Sequence, residues 1–221
     1  MYITIAANVR SPDIRALAIS AGWVGYEPLY CTINAGVDVA ALSIPSTIPS
    51  GLLTILNRGR IGAMVGGTFG IYTRTTINID NAGGTIFGAG GTGGEGGAFR
   101  IQNPNSASYQ AMGAPGAGGT GAGFNTSGTL ALIAAQNGGL GSSETLGGPS
   151  VGGLGTSYGG NGGAGGAIGQ PGTAGQGGSA SGNYNLLQVY PPGSGQAAGN
   201  YVDGQAFINW IATGTRLGNA I

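Results

Sequence analysis

Residues able to carry out covalent chemistry are almost absent from this chain. Its 221 residues contain no histidine and no lysine; every cation is an arginine, seven in all, set against seven carboxylates and one cysteine, Cys31. A Ser-His-Asp triad, a Schiff-base lysine, a Walker A lysine and a histidine-ligated zinc are therefore excluded. The carboxylates (Asp13, Glu27, Asp38, Asp80, Glu95, Glu144, Asp203) are scattered, whereas a glycosidase needs two in one cleft. Gly88-Ala89-Gly90-Gly91-Thr92-Gly93 fits G-x-G-x-x-G, but glycine density alone produces such a match and no helical pattern follows it. The expectation is a protein that is not an enzyme and uses no cofactor and no metal.

What remains is recognition chemistry. Gln102-Asn103-Pro104-Asn105-Ser106-Ala107-Ser108-Tyr109-Gln110, and Asn183-Tyr184-Asn185 with Tyr190-Pro191-Pro192 beyond, have the Tyr/Ser/Asn/Gly palette of binding loops. Aromatic area comes there at low entropy cost. Tyr109, Tyr184 and Tyr190 are the expected anchors, with Gln102, Asn103, Asn105, Gln110 and Asn185 as adaptable hydrogen-bonding groups. A single tyrosine could equally pack over the end of a scaffold element.

Charge limits the partners. Formal net charge is zero and charged residues make up 6% of the chain, so no basic patch exists to neutralise phosphates and no nucleic-acid partner is expected. No run reaches the ~18 apolar residues of a membrane span. Met1 to Ile5 lacks the basic region and apolar core of a signal peptide. These features predict a product made in a cytoplasm and not inserted in a membrane.

The elements that must carry these loops are dominated by glycine: 51 residues, 35 of them between Gly83 and Gly178. They fall into triplets. Positions 160, 163, 166, 169, 172, 175 and 178 are all glycine, and residues 90–98 read GGX three times. Three is the period of the polyproline II helix, while the repeated loss of register and only 10 prolines argue against collagen. Apolar anchors between triplets, such as Phe124 to Ala135 and Leu186 to Val189, argue against a flexible linker. The pattern predicts short polyproline II helices packed side by side. Their amides must pair across neighbours, because a buried unpaired backbone group costs about as much as a lost hydrogen bond.

Outside the glycine module the sequence reads as strands. Tyr2 to Ala6 alternates, and a helix is expected from Pro12 to Ala21 with Ser11 as N-cap and Gly22 as stop. Asn-x-Gly elements recur after 23 and 24 residues from Asn34 through Asn57 to Asn81, as in a solenoid; an antiparallel sandwich fits three copies equally well. Phe207-Ile208-Asn209-Trp210-Ile211 resumes strand character, and Gly214 to Gly218 echoes Asn57 to Gly62. The fold class expected is mainly β and irregular. A β-rich base, solenoid-like or sandwich, is built from both termini and joined to a packed bundle of polyglycine/polyproline II helices. The expected divisions are 1–87 (β-rich, one short helix), 88–200 (glycine helices and binding loops) and 201–221 (a strand returning to the base).

With Ala16-Leu17-Ala18-Ile19-Ser20-Ala21-Gly22-Trp23, the Asn-x-Gly element running into Gly88 to Gly94, and the ending Phe207 to Gly218, nearly the whole chain resembles the glycine-rich receptor-binding adhesins at bacteriophage tail-fibre tips. That resemblance implies a polyglycine II sandwich whose distal loops bind an outer-membrane protein or glycan of the bacterial host. It also implies attachment through the β part to a phage tail-fibre or tail protein, hence a virion location at the fibre tip. Monomer and homo-oligomer both remain open. Two other roles fit a glycine-helix bundle: a purely structural tail or capsid decoration protein, and an ice-binding protein. The varied triplet X residues disfavour the flat face that ice would need.

Overall fold

The computed structural model describes residues 1–149 and 154–221. The β base is a solenoid of parallel strands with three faces. The first face stacks Tyr2–Ile5, Leu29–Ile33, Leu53–Asn57, Ile77–Asp80 and Ile208–Ala212. Val9–Arg10, Asp38–Ala40, Arg60–Gly62, Thr85–Phe87 and Thr215–Leu217 form the second. The third stacks Leu42–Ile44, Phe69–Thr73, Asn200–Asp203 and Asn219–Ala220. A sandwich is thereby ruled out in favour of stacked turns.

The repeat exists because alternate side chains point inward and stack on the same position one turn away. Cys31, Ile55 and Ile79 form one such row, Val39, Ile61 and Ile86 a second, Leu42, Ile71 and Val202 a third. All nine are fully buried in one core. Burial pushes the Cys31 thiol up to about 12, so it serves as a small apolar filler and not as a nucleophile.

At the corner between the first two faces, Asn57 and Asn81 are fully buried and stacked, with Asn57 Nδ2 donating to Asn81 Oδ1 at 2.7 Å. Asn81 Nδ2 in turn donates to the carbonyl of Thr213 at 2.8 Å. The glycines of this motif have two different causes. Gly36 and Gly83 take φ +77°, whereas a Cβ on Gly59 would run into the carbonyl oxygens of Val37 and Asn34.

A helix, Ile14–Ser20, covers the first turn of the solenoid with Ile14, Ala18 and the following Trp23. It starts later than the sequence predicts, and its N-cap is Asp13, whose carboxylate accepts from the Ala16 amide at 2.9 Å. Ser11 cannot cap because its φ of 44° places it in the turn before the helix. Gly22, at φ +96°, ends the helix as expected, and the Trp23 amide reaches back to the Ala18 carbonyl.

The glycine module is inserted within one solenoid turn. The chain leaves the second face after Phe87 and returns to the third face at Asn200, after which Ile208–Ala212, Thr215–Leu217 and Asn219–Ala220 add the final turn. Between these points six extended segments, 88–97, 113–122, 134–142, 159–168, 170–178 and 191–199, lie in two layers. One layer orders 113–122, 88–97 and 191–199, and the other orders 134–142, 159–168 and 170–178.

Hydrogen bonds link the layers every third residue: Gly91, Gly94 and Gly97 donate to Gln170, Thr173 and Gln176, while Gly160, Gly163 and Gly166 donate to Gly97, Gly94 and Gly91. Within a layer, Gly90, Gly93 and Gly96 donate to Ala122, Gly119 and Gly116. This is the three-residue period that packed polyproline II-type helices require. Glycine is needed here for space, since a Cβ on Gly90, Gly93 or Gly96 would fall well under 3.0 Å from the carbonyl oxygens of Gly166, Gly163 and Gly160.

Candidate functional site

The alternating direction of the six segments sends their connections to opposite ends. Connections 123–133 and 168–170 face the solenoid, whereas 98–112, the described parts of 143–158 (143–149 and 154–158) and 179–190 meet at the distal end. At the near end Phe124 is buried against Phe87, ring centroids 5.0 Å apart, with Leu130 beside it. Arg10 of the solenoid donates to the carbonyls of Asn125, Ser127 and Gly128 and to Asn125 Oδ1. The segment around Phe124 is thus a joint, as its leucine-rich sequence implies.

At the distal end the three connections build one body. Ala98–Asn103 is the central strand of a sheet, flanked by Ser106–Ala111 from its own hairpin and by Asn185–Tyr190 from the last connection. Beneath it Thr156–Tyr158 is flanked by Ser143–Thr145 and Ser179–Ser181. Ile101, Ala111 and Leu146 form a small core between the sheets, joined by Phe99, Leu154, Ala180 and Tyr184. Ser157, fully buried, accepts from the Gly113 amide at 3.0 Å and donates to the Phe99 carbonyl at 2.6 Å.

The expected contact residues divide by their surroundings. Asn105, Tyr109, Gln110, Asn185 and Tyr190 are exposed and Gln102 is half-buried. Tyr109 is 44% exposed, its other side resting on the backbone at Gly147 and Gly148; Tyr190 donates its hydroxyl to Gln188 Oε1 at 2.8 Å. Two residues differ from the sequence expectation. Tyr184, expected as an anchor, turns inward onto the small core, and Asn103, expected as an adaptable group, is 1% exposed with its amide engaged by backbone.

Sequence reasoning missed the aliphatic part of the tip. Leu186, Leu187 and Val189 are 51%, 45% and 49% exposed, and Tyr158 and Met112 stand open nearby. A one-residue slip in the pairing with Arg100 and Ile101 breaks the in-out alternation of that strand and leaves its side chains uncovered on both faces. Arg100 and Glu144 are the sole charged residues of the three connections. They line a cleft of about 280 Å³ with Gln110, Ala111 and Met112, where Glu144 Oε2 accepts from the Met112 amide at 2.7 Å. Such a tip can bind through apolar area and hydrogen bonds.

A glycine lattice mounted on a β solenoid, with a loop tip at its far end, defines a rigid presenting scaffold. The chain belongs to the phage tail fibre adhesin Gp38 family, whose model matches residues 1–221, and is a tail-fibre adhesin acting in host attachment from the tail of the virion. Its fold matches the crystal structure of the gp37-gp38 adhesin tip complex of the bacteriophage S16 long tail fibre, with a TM-score of 0.54 and 18% identity over 100% of this chain and 82% of that one. No curated protein matches the sequence.

Proposed function

We propose that the distal tip binds a receptor on the bacterial surface, an outer-membrane protein or a glycan, and that the solenoid joins the chain to a tail-fibre protein. The observation carrying this reading is the apolar strand Asn185–Tyr190, exposed along its whole length in a molecule whose scaffold has no use for it. Exposed apolar area held on a rigid support binds with little loss of conformational freedom. The opposite end has its own uncovered apolar group, Tyr2, Leu17, Ile19, Val24 and Tyr26 around the capping helix, which suits a fibre partner. In this reading the lattice segments are left-handed polyglycine II helices, the protein is made in the host cytoplasm, and it has no enzymatic activity. Tyr109, Tyr190, Leu186 and Val189 are the anchors, with Gln102, Asn105, Gln110 and Asn185 as polar contacts around them.

Adsorption of purified protein to susceptible cells tests the site. Truncating one buried anchor costs about 2 kcal/mol, roughly thirtyfold in affinity. Combined Leu186→Ser, Val189→Ser and Tyr190→Ala should therefore abolish adsorption with melting unchanged. Full adsorption by the folded triple variant overturns the site assignment, and no adsorption by wild type to any candidate host favours a purely structural role. With so few charges at the tip, adsorption should change little with salt.

A further inference from the structure

We propose that Asn103 is a positioning residue that locks two of the three distal connections into one binding surface; this rests on the receptor-binding reading above. Its side chain is 1% exposed. Nδ2 donates to the carbonyls of Gly147 and Pro149, both at 2.9 Å, while Oδ1 accepts from the Asn105 amide at 2.9 Å. One side chain thus holds the turn of its own hairpin and the outer part of a connection more than 40 residues away in sequence.

The hydrogen bonds have a division of labour that no other side chain of this size reproduces. A carboxamide offers two donors and an acceptor, whereas a carboxylate only accepts. The backbone at Gly147 and Gly148 that Asn103 secures is the floor on which Tyr109 rests, and Gly148 has φ +86°, a conformation other residues resist. Within this region Ser157 fastens the lower ends of the same connections to Phe99 and Gly113. Asn103 does the same at the outer end, and the exposed side chains of the tip stand between these two points.

Asn103→Asp separates this role from a general contribution to folding. The carboxylate still accepts from Asn105 but faces the carbonyl oxygens of Gly147 and Pro149 with no proton to give, so the outer fastening opens. Burial raises the pKa of such a group above the ordinary ~3.9. The protonated acid, which can donate to one of the carbonyls, therefore gains population as pH falls from 7.5 towards 5. Apart from Glu144, on the strand Ser143–Thr145, and Arg100, on the central strand, no charged or histidine side chain lies in the three connections that pack here.

The expected result is at least tenfold weaker adsorption of Asn103→Asp to susceptible cells at pH 7.5, recovering at pH 5, where wild type is unchanged. Amides of Leu146 to Gly148 should exchange with solvent faster at pH 7.5 while those of Gly93, Gly163 and Ile55 do not. Wild-type adsorption by the folded variant at pH 7.5, or exchange rates unchanged in those segments, overturns the proposal. Should Asn103→Asp fail to fold, deleting Gly147 and Gly148 removes an acceptor from the other side of the fastening and must weaken adsorption to the same degree; undiminished adsorption then overturns it. If wild type adsorbs to no host, the receptor reading fails and the exchange data alone decide about Asn103, faster exchange upholding it.

Discussion

The solenoid and the glycine lattice are both rigid, and they reach rigidity by opposite means. In the solenoid, rows of Ile, Leu and Val exclude water and the backbone spacing follows from the side chains. In the lattice there is almost no side chain to bury, and main-chain donors on one segment meet carbonyls on the next at 2.7–3.0 Å wherever backbones touch. The first design tolerates a change of shape because neighbouring side chains can shift. The second does not, because the atom that an added Cβ meets is a carbonyl oxygen already engaged in the array. Glycine's conformational entropy opposes ordering these segments, so many hydrogen bonds must form together.

The contrast is broken most directly by one methyl group in the lattice. Gly93→Ala places a Cβ against the carbonyl of Gly163 in the middle of both layers and should cost more than about 4 kcal/mol or prevent folding. Gly177→Ala, where nothing lies within 4 Å, should melt within about 0.5 kcal/mol of wild type. Equal melting of the two variants would mean the lattice is loose.

In the solenoid, Ile55→Ala deletes a fully buried side chain and should cost about 2–5 kcal/mol in denaturant unfolding, whereas Ile55→Val should cost about 1 kcal/mol. A lattice site should show no such gradation. Asn57→Ala sharpens the comparison from the polar side. It leaves Asn81 Oδ1 buried without its donor, at a cost of about 1–3 kcal/mol by the same measurement.

The smallest effect belongs to the pair Arg58 and Asp80, 2.7 Å apart and partly exposed. The hydrogen bond from Arg58, and then that from the Ala82 amide, hold the Asp80 carboxyl below its ordinary range. A lowered folded-state pKa contributes stability above the unfolded value near 3.9 that is lost as pH falls through the folded value. Asp80→Asn should therefore be destabilised by under about 1 kcal/mol at pH 7, a difference that shrinks as acidification carries the pH through the lowered folded-state value.

The lattice was legible because exclusion of a Cβ is recorded directly as residue type. The triplet glycines at 160, 163 and 166 are the donors to Gly97, Gly94 and Gly91. The solenoid was half legible: the Asn57 and Asn81 spacing gave the turn length, but three copies could not distinguish stacked parallel strands from hairpins. The insertion of the lattice within a turn left no local mark, because Phe87 and Asn200 become neighbours in the fold only through strands that pair with other turns. At the tip, tyrosines and amides drew attention to two connections. The third, 143–158, has one tyrosine and no asparagine or glutamine, so nothing in it read as a binding loop. Counting alternating segments would have found it, since every second connection must return to the same end. Burial of Asn103 could not be read from composition, because only the hairpin register decides which asparagine turns inward.

Asn103 is followed by Pro104, and this pairing bears on how the protein ages. Asparagine decays spontaneously when the main-chain nitrogen of the next residue attacks the side-chain carboxamide, closing a succinimide that opens to aspartate or isoaspartate. Pro104 has no N–H to lose and cannot serve as that nucleophile. The succinimide route from asparagine to aspartate is therefore closed at Asn103.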